Sequence, residues 1–248
     1  MQSEHVLSLR DQIDQLEEKN SEQLNYFCVL SGTSKINGLE NFYKLGGSGA
    51  KPLWLNTPYA DWEEVMPYLV TIESESPFLD WLEEQQPAFP DWGLLVASSF
   101  GFDAVFAHFE SLTKVFMPSG KEVFFRYWDA PQVMPLFGRC KPVDKSKLMG
   151  PVAALVSSCG MENNPEDPEF FINEWPWFLF SEEVINDVQG QNIDVLKHNL
   201  NQYLRDYAYE LIENMPSALI NARLDSFISL HPNGNTHSLR RYFERWSS

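Results

Sequence analysis

The stretch WGLLVASSFGFDAVFAHFESLTKVFMPSGKEVFFRYWD, residues 92–129, changes its hydrophobic period twice, and those changes decide the class of fold. WGLLVASS is a continuous apolar run closed by serines, which suits a strand buried on both faces. FDAVFAHFESL then sets Phe102, Val105, Phe106 and Phe109 at helical spacing. KVFM and EVFFRYW follow, separated by Pro118-Ser119-Gly120, a turn signal that predicts a hairpin. Strand, helix and hairpin in immediate succession exclude an all-α or all-β chain.

Upstream, YFCVL from Tyr26, PLWLNT and YLVTIE are further short apolar runs that read as buried strands. Between them INGLENFYKL reads as a helical turn stopped by GGSGAKP, and ADWEEVM and SPFLDWLEEQ as helical segments. The last of these has Ser76 as cap and Pro77 at its first helical position. Residues 4–20 predict an amphipathic helix after Ser3, with Val6, Leu9, Ile13 and Leu16 on one face, acting as a lid or leader. Downstream, 131–150 reads as short helices and loops. VAALVSS and WPWFLF are two more apolar runs around a polar insert at 159–174, and beyond Ser181 the period is helical throughout. A long helix is expected over 193–214, followed by SALINARLDSFISL and THSLRRYFERW. The expected fold is α+β: an N-terminal amphipathic helix at 1–24, a mixed α/β lobe with a mixed sheet at 25–180, and an all-helical C-terminal lobe at 181–248.

The 248 residues, 44% hydrophobic and 21% charged, are enough for a large core without disulfide or metal staples. Cys28, Cys140 and Cys159 stand apart, with no CxxC pair. No run of about 18 apolar residues occurs, and the first residues lack a secretory leader pattern, so neither a membrane partner nor export is expected and the expected location is the cytoplasm. Eighteen basic against 35 acidic side chains give a net charge of −17, which disfavours nucleic acid as a partner. Residues 1–189 hold 12 basic and 29 acidic side chains, whereas 190–248 hold six of each. Aromatics make up 14% of the chain, more than a minimal core needs, so part of them is expected either on a recognition surface or in an aromatic-rich core.

Chemical motifs are sparse. GGSGAK at 46–51 does not fit a phosphate-binding loop, because its outer glycines are only three positions apart and Lys51 precedes Pro52. No G-x-S-x-G elbow is present, and His5, His108, His198, His231 and His237 lack metal-ligand spacing. No catalytic residue, metal site or cofactor is therefore expected. Arg126 and Asp129 border the aromatic string FFRYWD and read as a structural ion pair, since a charge beside a buried strand needs a partner. Tyr203 and Tyr207, one helical turn apart, with Arg240, Arg241, Tyr242 and Arg245 in the last helix, combine the aromatic and guanidinium groups enriched at interface centres. They are the candidate partner-binding residues. The stripe from Leu196 to Ile212 is expected to be mainly core.

Three strings occur in order: LNTPYADWEEVMPYLVTIESESPFLDWL, then residues 92–137 ending in FFRYWDAPQVMPLF, then MGPVAALV. Together they resemble the DUF4123 family of type VI secretion adaptor proteins, or effector-targeting chaperones. The resemblance rests on Pro67-Tyr68-Leu69, Trp92-Gly93 opening the Ser98-Ser99 strand, Gly120 with Phe125-Arg126-Tyr127 and Asp129, and Gly150-Pro151. Ala130 intervenes before Pro131, where the family has proline directly after the aromatic-Asp pair. The resemblance implies an adaptor rather than an enzyme: a protein that binds a cognate toxic effector in the cytoplasm and promotes its loading onto the VgrG spike. The competing expectations are a hydrolase-like enzyme with an unrecognised site between the lobes, and a structural component of the secretion baseplate.

The charge imbalance generates a first prediction. If the acidic lobe steers a less acidic partner, affinity falls as salt rises from about 0.1 M to about 1 M, where the Debye length shortens from about 10 to about 3 Å. An affinity constant across that range, measured by calorimetry, removes electrostatic steering.

Overall fold

The YFCVL run forms β1 (Asn25–Leu30), which lies between β3 (Tyr68–Ile72) and β4 (Gly93–Ser98) and runs antiparallel to both, with Val29 opposite Leu69 on one side and Leu94 on the other. Past Asn25 every residue of β1 is buried, as is all of β4, which is why these runs are continuously apolar rather than alternating. The sheet is completed by β2 (Lys51–Pro52), β7 (Ala154–Ser157) and β8 (Gly160–Asn163), in the order β2-β3-β1-β4-β7-β8. A separate two-stranded ribbon, β5 (Lys114–Phe116) with β6 (Glu122–Phe124), is the hairpin read around Gly120. This computed structural model describes residues 8–20, 23–191, 193–213, 215–231 and 236–244. Its ladders narrow the expected mixed sheet to an antiparallel one, the one parallel pairing among the described residues being an isolated bridge between Phe116 and Leu179. The α+β class stands.

Helices cover both faces. On one, α1 (Leu9–Lys19), α2 (Gly38–Lys44) and α3 (Pro77–Gln85) bury Leu9, Ile13, Leu16, Phe42, Phe78 and Leu82 against Tyr26, Cys28 and Leu30 of β1. On the other, α4 (Phe102–Ser111) brings Phe102 edge-on to Phe27 at 6.0 Å. The reading of an N-terminal lid or leader needs correction: α1 is part of the core. Its cap is Ser8, whose hydroxyl accepts from Asp11 N–H while Asp11 accepts from Ser8 N–H; Ser3 lies outside the described residues. Arg10 ties α1 to α3 through Asp80, Nε to Oδ1 at 2.7 Å.

Two glycines fix the backbone where no side chain fits. At Gly93 φ is +139°, and a Cβ would sit 1.9 Å from the Val29 carbonyl oxygen. The glycine-rich loop is a helix stop rather than a ligand cradle. Gly46 takes φ +92°, Gly47 N–H donates to the Phe42 carbonyl at 2.9 Å, and a Cβ at Gly47 would meet the Phe42 ring at 2.4 Å. Another tight contact holds α4 to α6 (Pro142–Met149), which follows α5 (Ala130–Arg139). The buried His108 ring places Nε2 3.0 Å from the Leu148 carbonyl, and burial lowers its pKa to about 4.

Three further readings change. PLWLNT is not a strand: after β2 the Thr57 hydroxyl donates to the Trp54 carbonyl at 2.9 Å and accepts from Tyr59 N–H at 3.1 Å, winding residues 53–66 into successive turns. The polar insert at 159–174 opens with strand β8. WPWFLF runs beside the ribbon and meets it only at an isolated bridge, Phe116 N–H donating to the Phe178 carbonyl and Phe180 N–H to the Phe116 carbonyl.

The chain divides into two compact units, Met1–Ser181 and Glu182–Ser248. The second contains α7 (Glu182–Gln191), α8 (Ile193–Tyr207), α9 (Ser217–Leu230) and α10 (Thr236–Glu244), with no strand among its described residues. The helix expected over 193–214 ends at Tyr207, and Tyr209–Leu211 continues as a 3-10 turn. Leu200, Leu204, Ala208, Leu211 and Ile212 of the stripe are buried, packed within the unit against Leu224, Phe227, Leu239 and Phe243.

Replacing Gly93 by Ala is expected to destabilise the first unit by at least about 3 kcal/mol, because a left-handed φ and a backbone clash coincide. That corresponds to a melting temperature lower by roughly 6–12 °C. Gly120 takes φ +78° with nothing within 4 Å of a Cβ, so Gly120→Ala costs only about 1 kcal/mol. Differential scanning calorimetry on the two variants checks the ranking.

Candidate functional site

In the second unit the end of α8 brings together three of the residues expected to bind a partner. Tyr203 and Tyr207 stack with ring centroids 5.7 Å apart, and Tyr207 is 72% exposed. Arg240 donates from Nη1 to the Tyr207 carbonyl at 3.4 Å, satisfying one of the backbone oxygens left open at a helix end. The same guanidinium pairs with Glu210 at 2.8 Å and Glu244 at 3.2 Å, and these carboxylates raise its pKa, Glu244 first. Tyr242 points elsewhere: it packs on Phe227 at 5.4 Å and is half-buried, while Arg241 is exposed. Arg245 lies outside the described residues.

Arg126 and Asp129 meet as an ion pair, Nη2 to Oδ2 at 2.9 Å, with the Asp129 side chain 8% exposed and that of Arg126 46%. Asp129 is the N-cap residue of α5, and Arg126 also reaches the Thr33 hydroxyl at 3.4 Å, so the pair bridges the loop after β1 to the start of α5. Burial raises the Asp129 pKa and Arg126 opposes the rise. The other residues that carry the family resemblance also serve the scaffold. Ser98 donates to the Pro151 carbonyl at 2.5 Å, and Tyr127 is buried, stacked on Phe109 at 5.2 Å.

A second surface, not located by the sequence reading, lies in the first unit. The wound loop after β2 presents Tyr59 and Trp62, the ribbon presents Phe124 and the segment beside it presents Trp175. Tyr59 meets Phe124 at 4.6 Å, Trp62 stacks on Phe124 at 5.3 Å and Tyr59 lies 5.9 Å from Trp175. Trp54, buried beneath, contacts Phe124 at 5.9 Å and Trp128 at 5.3 Å. Each such pair adds about 0.5–1.5 kcal/mol beyond area burial, so the rings are held in place rather than loosely displayed. Lys114 sets its ammonium 5.5 Å from the Tyr59 ring and 5.6 Å from Trp175, and pairs with Glu122 at 3.6 Å. Trp62 remains 48% exposed, with Leu55 and Val65 exposed in the same loop. Covering Trp62 alone would contribute about 2–3 kcal/mol. The aromatic surplus was visible in the composition, but its members come from three separated segments and carry no local pattern.

Away from this surface, a cavity of about 680 Å³ is lined by Glu17, Asn25, Tyr26, Thr71 and Glu73 among others, and burial raises the Tyr26 pKa to about 12. Among the described residues no three His, Cys, Asp or Glu side chains gather as metal ligands, and no helix is long and apolar enough to cross a membrane.

Arg126→Ala is expected to lower stability by about 1–2 kcal/mol at neutral pH, since it strands a buried carboxylate while removing a half-exposed partner. An acid whose folded pKa is raised disfavours folding above that pKa, and the cost vanishes below the unfolded value. The penalty therefore shrinks as pH falls into the ordinary aspartate range. Urea melts of both proteins at acid and neutral pH check this; a penalty that grows on acidification contradicts it.

No curated protein and no solved structure matches the chain. The stretch from β1 into α6, residues 26–147, matches the model of the family described as Domain of unknown function (DUF4123), which supports placing this segment in the DUF4123 family.

Proposed function

We propose that this chain is a type VI secretion adaptor: a cytoplasmic protein, not itself an enzyme and needing no cofactor, that binds a cognate toxic effector and promotes its loading onto the VgrG spike. The observation that carries the reading is the packed aromatic surface of Tyr59, Trp62, Phe124 and Trp175, built mostly within the family-matched segment and left open on its Trp62 side. A half-exposed tryptophan seated on other aromatic rings is the kind of anchor that dominates protein interfaces. The resemblance to adaptor proteins supports the same reading, and so does the acidic balance of the chain.

The first-unit surface is the stronger effector site of the two. Arg240 already has two carboxylate partners and Tyr203 is stacked on Tyr207, so much of what that cluster could offer a partner is already engaged within the unit. Deleting the gene in a bacterium with an active type VI apparatus is expected to abolish release of the cognate effector while leaving release of other apparatus components intact. Restoring the chain with Trp62→Ala should recover at most about a tenth of the release. The Tyr203→Ala/Tyr207→Ala double variant should recover most of it. Normal effector release in the deletion strain overturns the adaptor reading.

A further inference from the structure

Resting on the adaptor reading, the occupant of the open aromatic surface can be specified by its chemistry. Trp62 is flanked in the chain by Asp61 and Glu63, with Glu64 next, and all three carboxylates are exposed. Among the described residues none of the three makes an ion pair. Glu174 precedes Trp175 at the other side and is exposed as well. The cation set among the rings, Lys114, is already paired with Glu122. The loop therefore carries a half-exposed tryptophan within a run of exposed carboxylates that make no ion pair among the described residues, in a protein whose net charge is −17.

Two classes of group satisfy one half of this pattern each. An apolar anchor covers the ring but leaves the carboxylates without compensation, and an ammonium answers the charge but is compact and strongly hydrated. A guanidinium satisfies both, because it stacks flat on an aromatic face while its edge donates in a fork to carboxylates. We propose that the Trp62 surface takes an arginine-bearing segment of the partner protein, with one guanidinium stacked on Trp62 and paired with the carboxylates that flank it.

The test uses the full chain with two labelled synthetic peptides of equal charge, hexa-arginine and hexa-lysine, followed by fluorescence anisotropy at physiological salt. Hexa-arginine is expected to bind at least about fivefold more tightly than hexa-lysine. Trp62→Ala should erase that preference, and Trp62→Phe only reduce it, while leaving the lysine peptide nearly unaffected. Glu63→Gln/Glu64→Gln, at two exposed positions where folding is not at issue, should weaken hexa-arginine by about fivefold or more. Equal binding of the two peptides assigns the surface to charge alone and overturns the proposal, as does an arginine preference that survives both sets of substitutions. The effector-release assay separates the two readings. Loss of release on gene deletion together with equal peptide binding keeps the adaptor and discards the arginine. An arginine preference with normal release keeps the site and discards the adaptor.

Discussion

The carbonyl oxygen of Val29 approaches the α-carbon of residue 93 so closely that only glycine fits, and the first unit is arranged around that approach. It lets β4 lie flush against β1 from its first residue, so that Ser31 N–H can donate to the Trp92 carbonyl at 2.9 Å just beyond the ladder. With the two central strands in register, both faces of β1 are dry. The helices then have apolar surfaces to cover: α1, α2 and α3 close one side and α4 the other. The loop after β1 and the turn before α5 are joined at the same end of the sheet by Arg126, which contacts Thr33 and Asp129.

The two units manage their aromatic and charged groups differently. In the second, the apolar stripe is consumed by the unit's own core, and the arginine nearest the exposed tyrosines is tied down by neighbouring acids. In the first, turns wound by Thr57 hold Tyr59 and Trp62 against the ribbon, so an aromatic face stays in water on a fixed support. Preorganised rings lose little entropy when covered, which favours recognition by such a face over one that must first be ordered.

The central strands and α4 were legible because burial on two faces demands unbroken apolar runs and helical packing demands its own period. Ser76 and Pro77 likewise announced α3, whose cap forms as read. What escaped was governed by other forces. PLWLNT has strand composition, but Pro52 and the Thr57 hydroxyl offer its backbone turns instead. β8 reads GMEN because this edge strand is only half-buried or exposed along its length and needs no apolar run. Tyr203 and Tyr207 could be paired from spacing alone, one helical turn being a local relation. The aromatic surface joins positions 59, 62, 124 and 175, and no local pattern encodes such a meeting.

The margins of the six-stranded sheet bear on how any partner can be engaged. One margin is β2, two residues long and ending in Pro52, which has no N–H to give; the other is the four-residue β8, whose Glu162 is engaged with Lys145 at 2.5 Å. Margins this short, one of them blunted by proline, are poor templates for an incoming strand. The sheet is thus closed to extension by main-chain pairing, a mode that accepts many sequences because it reads the backbone. Any partner would then have to be recognised through side chains rather than through an extended backbone.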